Sequence, residues 1–452
     1  MSAHEPFSVD VAVVGAGFAG LAAARALAAA GRDVVVLEAR DRVGGRVERG
    51  ESDGALLELG GTWIGPTQTR ALELAAEVGA KTFPQYAEGE NQIDIDGEVR
   101  RYSGTVPRLG PLALAGLGRL QTAVNRHARR IDTRAPWEYR HAARLDSTSF
   151  GDWIAGRRFG RTATTVMTIV GRTTWGAEPS EISALYAMAY VGGGGGTSAL
   201  FDTEGGAQES RFLLGAQDFA ERVAAPLEGR IRFGAVVRSI EWGASGAVLD
   251  ADGVPVTAGR VIVTVAPPLC ARLAFDPPLP ARRDEIQRRM RMGALTKAIA
   301  VYDEPFWRQD GLSGESLSDA SLASLTFDLS PPDGSRGVLV GFVGGDDART
   351  YAAMGEAERR ANVLAGFARL YGPRALEPAG WAERQWAAQE WSGGGPVAIA
   401  PPGALTAGGD ALRKPCGPIH WAGTESSPTW GGFIDGAIRS GERAASEILE
   451  AV

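Results

Sequence analysis

The chain has 452 residues, 44% of them hydrophobic and 22% charged, with a formal net charge of −7. A chain of that size buries a large core and divides into two or more domains, and its acidic balance excludes the basic face that a nucleic-acid partner favours. Glycine is in excess, 61 residues or about 13% against a usual ~7%, so many positions need positive φ or close backbone approach.

The opening MSAHEPFSVD lacks a basic segment followed by an apolar one, so no secretory leader is expected. Residues 9–46 read VDVAVVGAGFAGLAAARALAAAGRDVVVLEARDRVGGR. VDVAVV predicts a buried parallel strand. LAAARALAAAG predicts a helix closed by Gly31. DVVVLE predicts a second buried strand ending in Glu38. Between strand and helix, GAGFAG sets Gly15 for the tight turn, Gly17 for backbone approach to a pyrophosphate, and Gly20 for helix–strand packing. The helix N-terminus offers free N–H groups to phosphates. Glu38 stands where a carboxylate accepts bonds from ribose hydroxyls, and it disfavours a 2′-phosphorylated dinucleotide. ARDRVGGR then adds a glycine pair and Arg46, a further basic anion cradle. A nicotinamide-binding unit usually continues into another βα repeat at this point.

Further along, RLQTAVNRHARRIDTR (119–134) is Arg-rich but carries apolar residues at helical spacing, which reads as a solvated helix face. The run Gly192 to Gly196 reads either as a hinge or as a point of close approach at a cavity gate. IRFGAVVRSIEW (231–242) is strand-like, and RVIVTVAPPL (260–269) predicts a buried strand ending at Pro. GALTKAIAVY (293–302) predicts an apolar strand holding Lys297, which is costly to bury without a partner and on an edge strand would face water. WSGGGPVAIAPPG (391–403) holds four glycines and three prolines. It reads as a surface loop or as backbone lying flat against something large. Cys270 and Cys416 are the only cysteines, which fits reduced thiols in a cytoplasm. With His4, His127, His141 and His420 they give no metal-ligand spacing, so no metal is expected. No run approaches ~18 apolar residues, so no membrane span is expected.

Five separated segments carry a family resemblance. LELGGTWIGPTQTR (57–70), DTEGGAQESRF (202–212), MGALTKAIAVYDEPFW (292–307), WSGGGPVAIAPPGAL (391–405) and HWAGTESSPTWGGFIDGAIRSGERAASEIL (420–449) occur in that order. They resemble the signature segments of the flavin-containing amine oxidases, monoamine oxidase branch, and within it a bacterial, cyclohexylamine oxidase-like type. The resemblance implies an α/β fold. A Rossmann-like FAD-binding domain is built from the discontinuous segments 1–84, 210–287 and 389–452. A substrate domain of α+β kind, a mixed sheet with helices, comes from 85–209 and 288–388.

The resemblance also implies which residues hold FAD. Besides Gly15, Gly17, Gly20, Glu38 and Arg46, these are Gly60, Gly61 and Thr62 beside the flavin, and Val237 near the adenine. Trp391 and Gly395 lie along the ring, with Trp63 packed nearby, and Gly423, Thr424 and Glu425 lie in the C-terminal loop. The segment after Trp391 is thus the flat backbone of the second reading. The cysteine that bonds the flavin in mammalian members corresponds to Gly395, so the FAD is expected to be noncovalent. The two cage tyrosines correspond to Pro396 and Phe433. A half-aromatic cage is expected to favour primary alicyclic or arylalkyl amines. Lys297 is implied to hold a water against the flavin and assist its reaction with O2. Gln208 is implied to orient the substrate, Leu200, Phe201, Leu325 and Phe327 to wall an entrance cavity, and Thr173 and Thr174 an inner one. The implied reaction takes an amine to an imine, then to an aldehyde or ketone plus ammonia, with O2 reduced to hydrogen peroxide. A homodimer is common in the family. An L-amino acid oxidase is the first rival and needs an arginine aimed at a carboxylate. A polyamine or diamine oxidase needs a deep carboxylate, for which Asp202 and Glu204 are the nearby candidates. A flavin-binding scaffold or sensor without turnover is the rival of another class.

Overall fold

The structure, a computed structural model, describes residues 6–451; residues 1–5, with His4 and part of the opening segment read for a secretory leader, and residue 452 lie outside the described residues. The strand Phe7–Val14 pairs in parallel with Val34–Leu37 on one side and with Val254–Val263 on the other. Ile231–Arg232 extends this sheet beyond Val34–Leu37, and Ile419–Trp421 joins Val254–Val263. The sheet then turns antiparallel through Gly246–Ala251 and Val237–Gly243 and ends at Ala274–Asp276. The parallel strands are apolar on both faces because both faces are covered. The helices Phe18–Ala29, Gly215–Ala224 and Ile434–Glu450 pack one face through Leu21, Phe219 and Ile438. Ile240, Leu249 and Trp421 belong to the core on the other.

Two strand readings shift in detail. The strand expected to end at Pro starts earlier, at Val254, and stops at Val263, while Pro267 opens the short helix Pro267–Cys270. Residues 231–242 form two strands, Ile231–Arg232 and Val237–Gly243, because Gly234 turns the chain at φ +66°.

A second sheet has the order Gly380–Gln385, Leu295–Tyr302, Gly337–Gly344, Leu325–Asp328, Leu312–Ser318, Glu90–Ile95, Glu98–Tyr102. It is antiparallel except between Leu312–Ser318 and Glu90–Ile95. Lys297 therefore lies on an interior strand with a ladder on each side, and the edge-strand reading fails. The helices Pro111–Ala128, Arg161–Trp175 and Ala184–Gly193 share a core that includes Leu120, Met167 and Leu185. The Arg-rich stretch behaves as its spacing predicts over the helix, with Leu120, Val124 and Ala128 inward and Arg119 and Arg126 outward. The glycine run is used for close packing. A Cβ on Gly193 would stand 2.7 Å from the Pro428 carbonyl oxygen, and one on Gly192 2.8 Å from that of Ala128.

Strands of the first sheet fall within 7–37, 231–276 and 419–421, and those of the second within 90–102 and 295–385. The 287/288 boundary falls inside the helix Ala281–Arg289. No helix among the described residues is long and apolar enough to cross a membrane.

Candidate active site

One cavity of about 620 Å³ runs from the carboxyl ends of Phe7–Val14 and Val34–Leu37 to the face of the second sheet. Crevices outside the carboxyl ends of parallel strands are where such folds bind ligands. At this end the helix Phe18–Ala29 starts at Gly17 with no side-chain cap, and Phe18 and Ala19 line the cavity. The helix Ile434–Glu450 starts at Phe433, also uncapped, and Ile434 and Ala437 line the cavity. Two helix N-termini with unsatisfied N–H groups make an anion site. The buried Glu38 carboxylate accepts from the Ala16 N–H at 2.7 Å and the Arg40 N–H at 2.9 Å. It is thus locked beside the glycine loop with lone pairs to spare. Gly15, Gly17, Val237, Trp391, Gly423 and Thr424 all line the same space. Gly20 does not: it backs onto the Gly15 carbonyl, where a Cβ would stand at 1.9 Å, which is the packing role foreseen for it.

Arg46 lines the cavity, and its charge is balanced within the chain. Its guanidinium grips the Glu425 carboxylate in a fork, at 2.6 and 3.0 Å, and donates to the Pro396 carbonyl at 2.8 Å. Glu425 also accepts from the Ala398 N–H at 3.1 Å. Burial works against both charges; the pairing outweighs it and holds Glu425 below the usual carboxylate range. Glu425 is absent from the cavity wall. It acts on the Pro396 segment through Arg46.

Lys297 is 2% exposed and lines the cavity. Its Nζ donates to the carbonyls of Glu58 at 2.7 Å and Gly60 at 2.9 Å, and to Thr62 Oγ1 at 2.6 Å. Thr62 Oγ1 in turn donates to the Gly60 carbonyl at 3.0 Å. Burial pulls the Lys297 amine down to about 7, with the Glu58 carboxylate pulling the other way, and burial pushes the Glu58 carboxyl up to about 7. The three acceptors favour the ammonium, since a neutral amine has only two hydrogens to give. All three donors are then taken by the protein. Thr62 Oγ1, which accepts from Lys297 and donates to Gly60, keeps one free lone pair. Gly60 and Gly61 line the cavity beside Thr62.

At the other end Pro396 and Phe433 face the cavity together with Gly395. Three residues there escaped the sequence reading. Tyr190 lines the wall with its ring 6.3 Å from that of Phe433. Trp386 donates to the Leu59 carbonyl at 2.9 Å and lies against both Gly60 and Gly395, so its indole spaces the two glycine segments. Glu315 brings a carboxylate into the cavity. Leu200, Phe201, Leu325 and Phe327 line this one cavity, and so do Thr173 and Thr174. The Thr173 hydroxyl is spent on the Ile169 carbonyl at 3.0 Å, so only its methyl is free. Gln208 donates weakly to the Leu200 carbonyl at 3.4 Å, and its Oε1 is buried without a partner. Of the carboxylates foreseen for a diamine, Glu204 is exposed on a turn and neither it nor Asp202 lines the cavity.

The profile of the flavin containing amine oxidoreductase family matches residues 18–449. A protein of Mycobacterium tuberculosis provisionally named flavin-containing monoamine oxidase AofH is 44% identical over 445 residues, 98% of this chain and 97% of that protein. The flavin-containing amine oxidase of Oncorhynchus mykiss is 35% identical over 99% of this chain and 87% of its own length. Among solved structures, a putrescine oxidase bound to putrescine superposes with a TM-score of 0.95 at 36% identity, covering 98% of this chain and 100% of that one. Cyclohexylamine oxidase from Brevibacterium oxydans IH-35A gives 0.94 at 33%, covering 98% and 99%. With a matching profile over nearly its whole length and relatives of this identity, the chain belongs to the flavin-containing amine oxidoreductase family.

Proposed function

We propose that the protein is an FAD-dependent amine oxidase acting on a primary alicyclic or arylalkyl amine. The observation that carries this reading is the single cavity that joins two uncapped helix N-termini to an apolar chamber beside a buried lysine. The residues present fit the cofactor: the helix starts suit its pyrophosphate, Glu38 a ribose, and the glycines at 60–61 and 395 a flat ring. Noncovalent attachment is supported by the cysteines. Cys270 and Cys416 are both buried and unpaired, and neither lines the cavity. The same cysteine usage is our ground for a cytoplasmic location. We divide the chain into cofactor segments 1–84, 210–287 and 389–452 and substrate segments 85–209 and 288–388, in keeping with the strands of the two sheets.

Bound FAD supplies the oxidant for the amine and passes the electrons to O2, yielding hydrogen peroxide. The chain's own part is binding and positioning. Pro396 and Phe433 flank the amine, and Leu325, Phe327 and Phe342 keep water from its apolar part. The unpartnered Gln208 Oε1 accepts an N–H of the neutral amine and orients it. Lys297 and Thr62 fix the Gly60 segment and hold a water at Thr62 Oγ1. The L-amino acid reading draws on a 36% identical L-amino acid dehydrogenase of Synechocystis. It needs an arginine free to meet a carboxylate, and Arg46 is already committed to Glu425.

The test is anaerobic mixing of the yellow protein with cyclic, arylalkyl, linear, diamine and amino-acid substrates while flavin absorbance is followed. Fast bleaching by cyclic or arylalkyl amines is the expected result. Bleaching by amino acids alone would replace this reading, and bleaching by none would leave a flavin-binding scaffold. Acid precipitation should release all the yellow colour into the supernatant; colour in the pellet would overturn noncovalent attachment.

A further inference from the structure

Trp430 holds a backbone conformation that its side chain disfavours. Its φ is +50°, a value at which a bulky residue is an outlier. The other non-glycine residues of positive φ among the described residues are Asp53, Asp96, Arg158 and Asp252, all exposed on turns. Trp430 is 3% exposed. Strain of this kind persists only where the surroundings over-determine it, and it gathers at functional sites.

The surroundings here are the glycine run and the last helix. The Trp430 N–H donates to the Gly193 carbonyl at 3.1 Å, and its indole N–H to the Thr67 carbonyl at 3.1 Å. Its own carbonyl accepts from the Phe433 N–H at 3.1 Å and presses on Gly436, where a Cβ would stand at 2.1 Å. The loop before it lies just as close to the run, since a Cβ on Gly193 would meet the Pro428 carbonyl oxygen. Beyond the run, Asn125 pins Thr197 through hydrogen bonds of 2.8 and 3.1 Å, at the start of the helix Thr197–Phe201. Trp430 itself does not line the cavity, but Phe433 does. The two rings meet edge to face, their centroids 5.0 Å apart at 79°, so the indole backs the phenyl wall.

We infer that Trp430 is a positioning residue: anchored on Gly193, it fixes the Phe433 ring and through it the alignment of the bound amine. This rests on the amine-oxidase reading above and assigns the glycine run a part in it.

The experiment compares wild type with three FAD-loaded variants. Trp430→Leu removes the edge-to-face contact and the indole N–H, Trp430→Phe keeps an aromatic ring, and Gly193→Ala pushes the loop from the other side while leaving every cavity residue in place. Flavin reduction by saturating benzylamine or cyclohexylamine is followed anaerobically, per bound flavin, and reoxidation of dithionite-reduced flavin by O2 is followed separately. Trp430→Leu and Gly193→Ala should be reduced about tenfold or more slowly, and Trp430→Phe within about threefold of wild type, because small misplacements of a reacting group are costly. Reoxidation should be unchanged in all three. Reduction per flavin equal to wild type, with only Tm or FAD content lowered, would overturn the inference, and so would equal slowing of reduction and reoxidation. A second readout needs no turnover. The probe is 2-phenyl-2-propylamine, which has no α-hydrogen to lose, and its binding is read from the flavin absorbance. Its Kd should rise about tenfold in Trp430→Leu and Gly193→Ala and hold in Trp430→Phe. Equal Kd values throughout, or no binding to wild type, would overturn the positioning role. Where Trp430→Leu fails to fold, Gly193→Ala gives the same two readings. The expected Kd differences without reduction of wild type by any amine would leave the positioning role standing and overturn the oxidase reading instead.

Discussion

Gly60 and Gly61 are neighbours on the cavity wall, yet a methyl group should cost far more at the first than at the second. A Cβ on Gly60 would lie 2.3 Å from the Arg46 carbonyl oxygen, 2.9 Å from the Trp386 ring and 3.0 Å from the Glu48 nitrogen. Two of these neighbours are backbone, so the segment itself must move. Overpacking of this kind costs about 1–3 kcal/mol. The Gly60 carbonyl also accepts from Lys297 and from Thr62, and displacing it weakens both bonds by about 1 kcal/mol each. The sum is about 3–5 kcal/mol for Gly60→Ala. On Gly61 the nearest atom to a Cβ is a Val47 methyl at 3.3 Å, with the Arg46 oxygen at 3.9 Å, so Gly61→Ala should cost under about 1 kcal/mol. At roughly 2 °C per kcal/mol for a large chain, thermal unfolding of the two FAD-loaded variants should show Tm lower by about 6–10 °C for Gly60→Ala and by under about 2 °C for Gly61→Ala. Retention of FAD on gel filtration should follow the same order. Equal losses in the two variants, or none at Gly60, would refute the packing argument.

Lys297→Met should slow reoxidation of the reduced flavin by O2 in stopped-flow mixing; an unchanged rate would remove Lys297 from that step. Glu58 should make stability depend on pH. Its native carboxyl, raised from 4.5 to about 7 by burial, keeps a proton that the unfolded chain has released between those values, so its contribution falls as pH rises through that window. Tm measured from pH 5 to 7.5 should therefore fall less steeply for Glu58→Gln, and parallel curves would show that Glu58 does not titrate there. Glu425→Ala leaves the Arg46 guanidinium without its partner in a buried pair, at a cost of about 3–5 kcal/mol; a Tm equal to that of wild type would contradict the clamp.

The legible part of the site is the part written in local segments. Gly15, Gly17, Gly20 and Glu38 occupy one strand–turn–helix–strand unit whose order follows from periodicity and glycine placement. Lys297 stood out because a charge interrupts an apolar strand. Glu315 sits in SGES (313–316), which reads as a turn, and its direction is set only by the ladder between Leu317 and Leu325. Tyr190 and Trp386 have the same character. One reaches the site because Gly432 leaves room for its ring, the other because Gly60 and Gly395 close on it from distant parts of the chain. The seven-strand order of the second sheet was equally hidden, since its neighbours are far apart along the chain.

The Arg46–Glu425 pair ties together residues 379 apart. A growing chain exposes its glycine loop early, but Arg46 then has no counter-charge, and the second helix N-terminus is missing until Ile434–Glu450 has left the ribosome. Flavin capture is therefore a closing event of biosynthesis. A chain cut short before Ile434 should therefore be colourless even when most of it has folded.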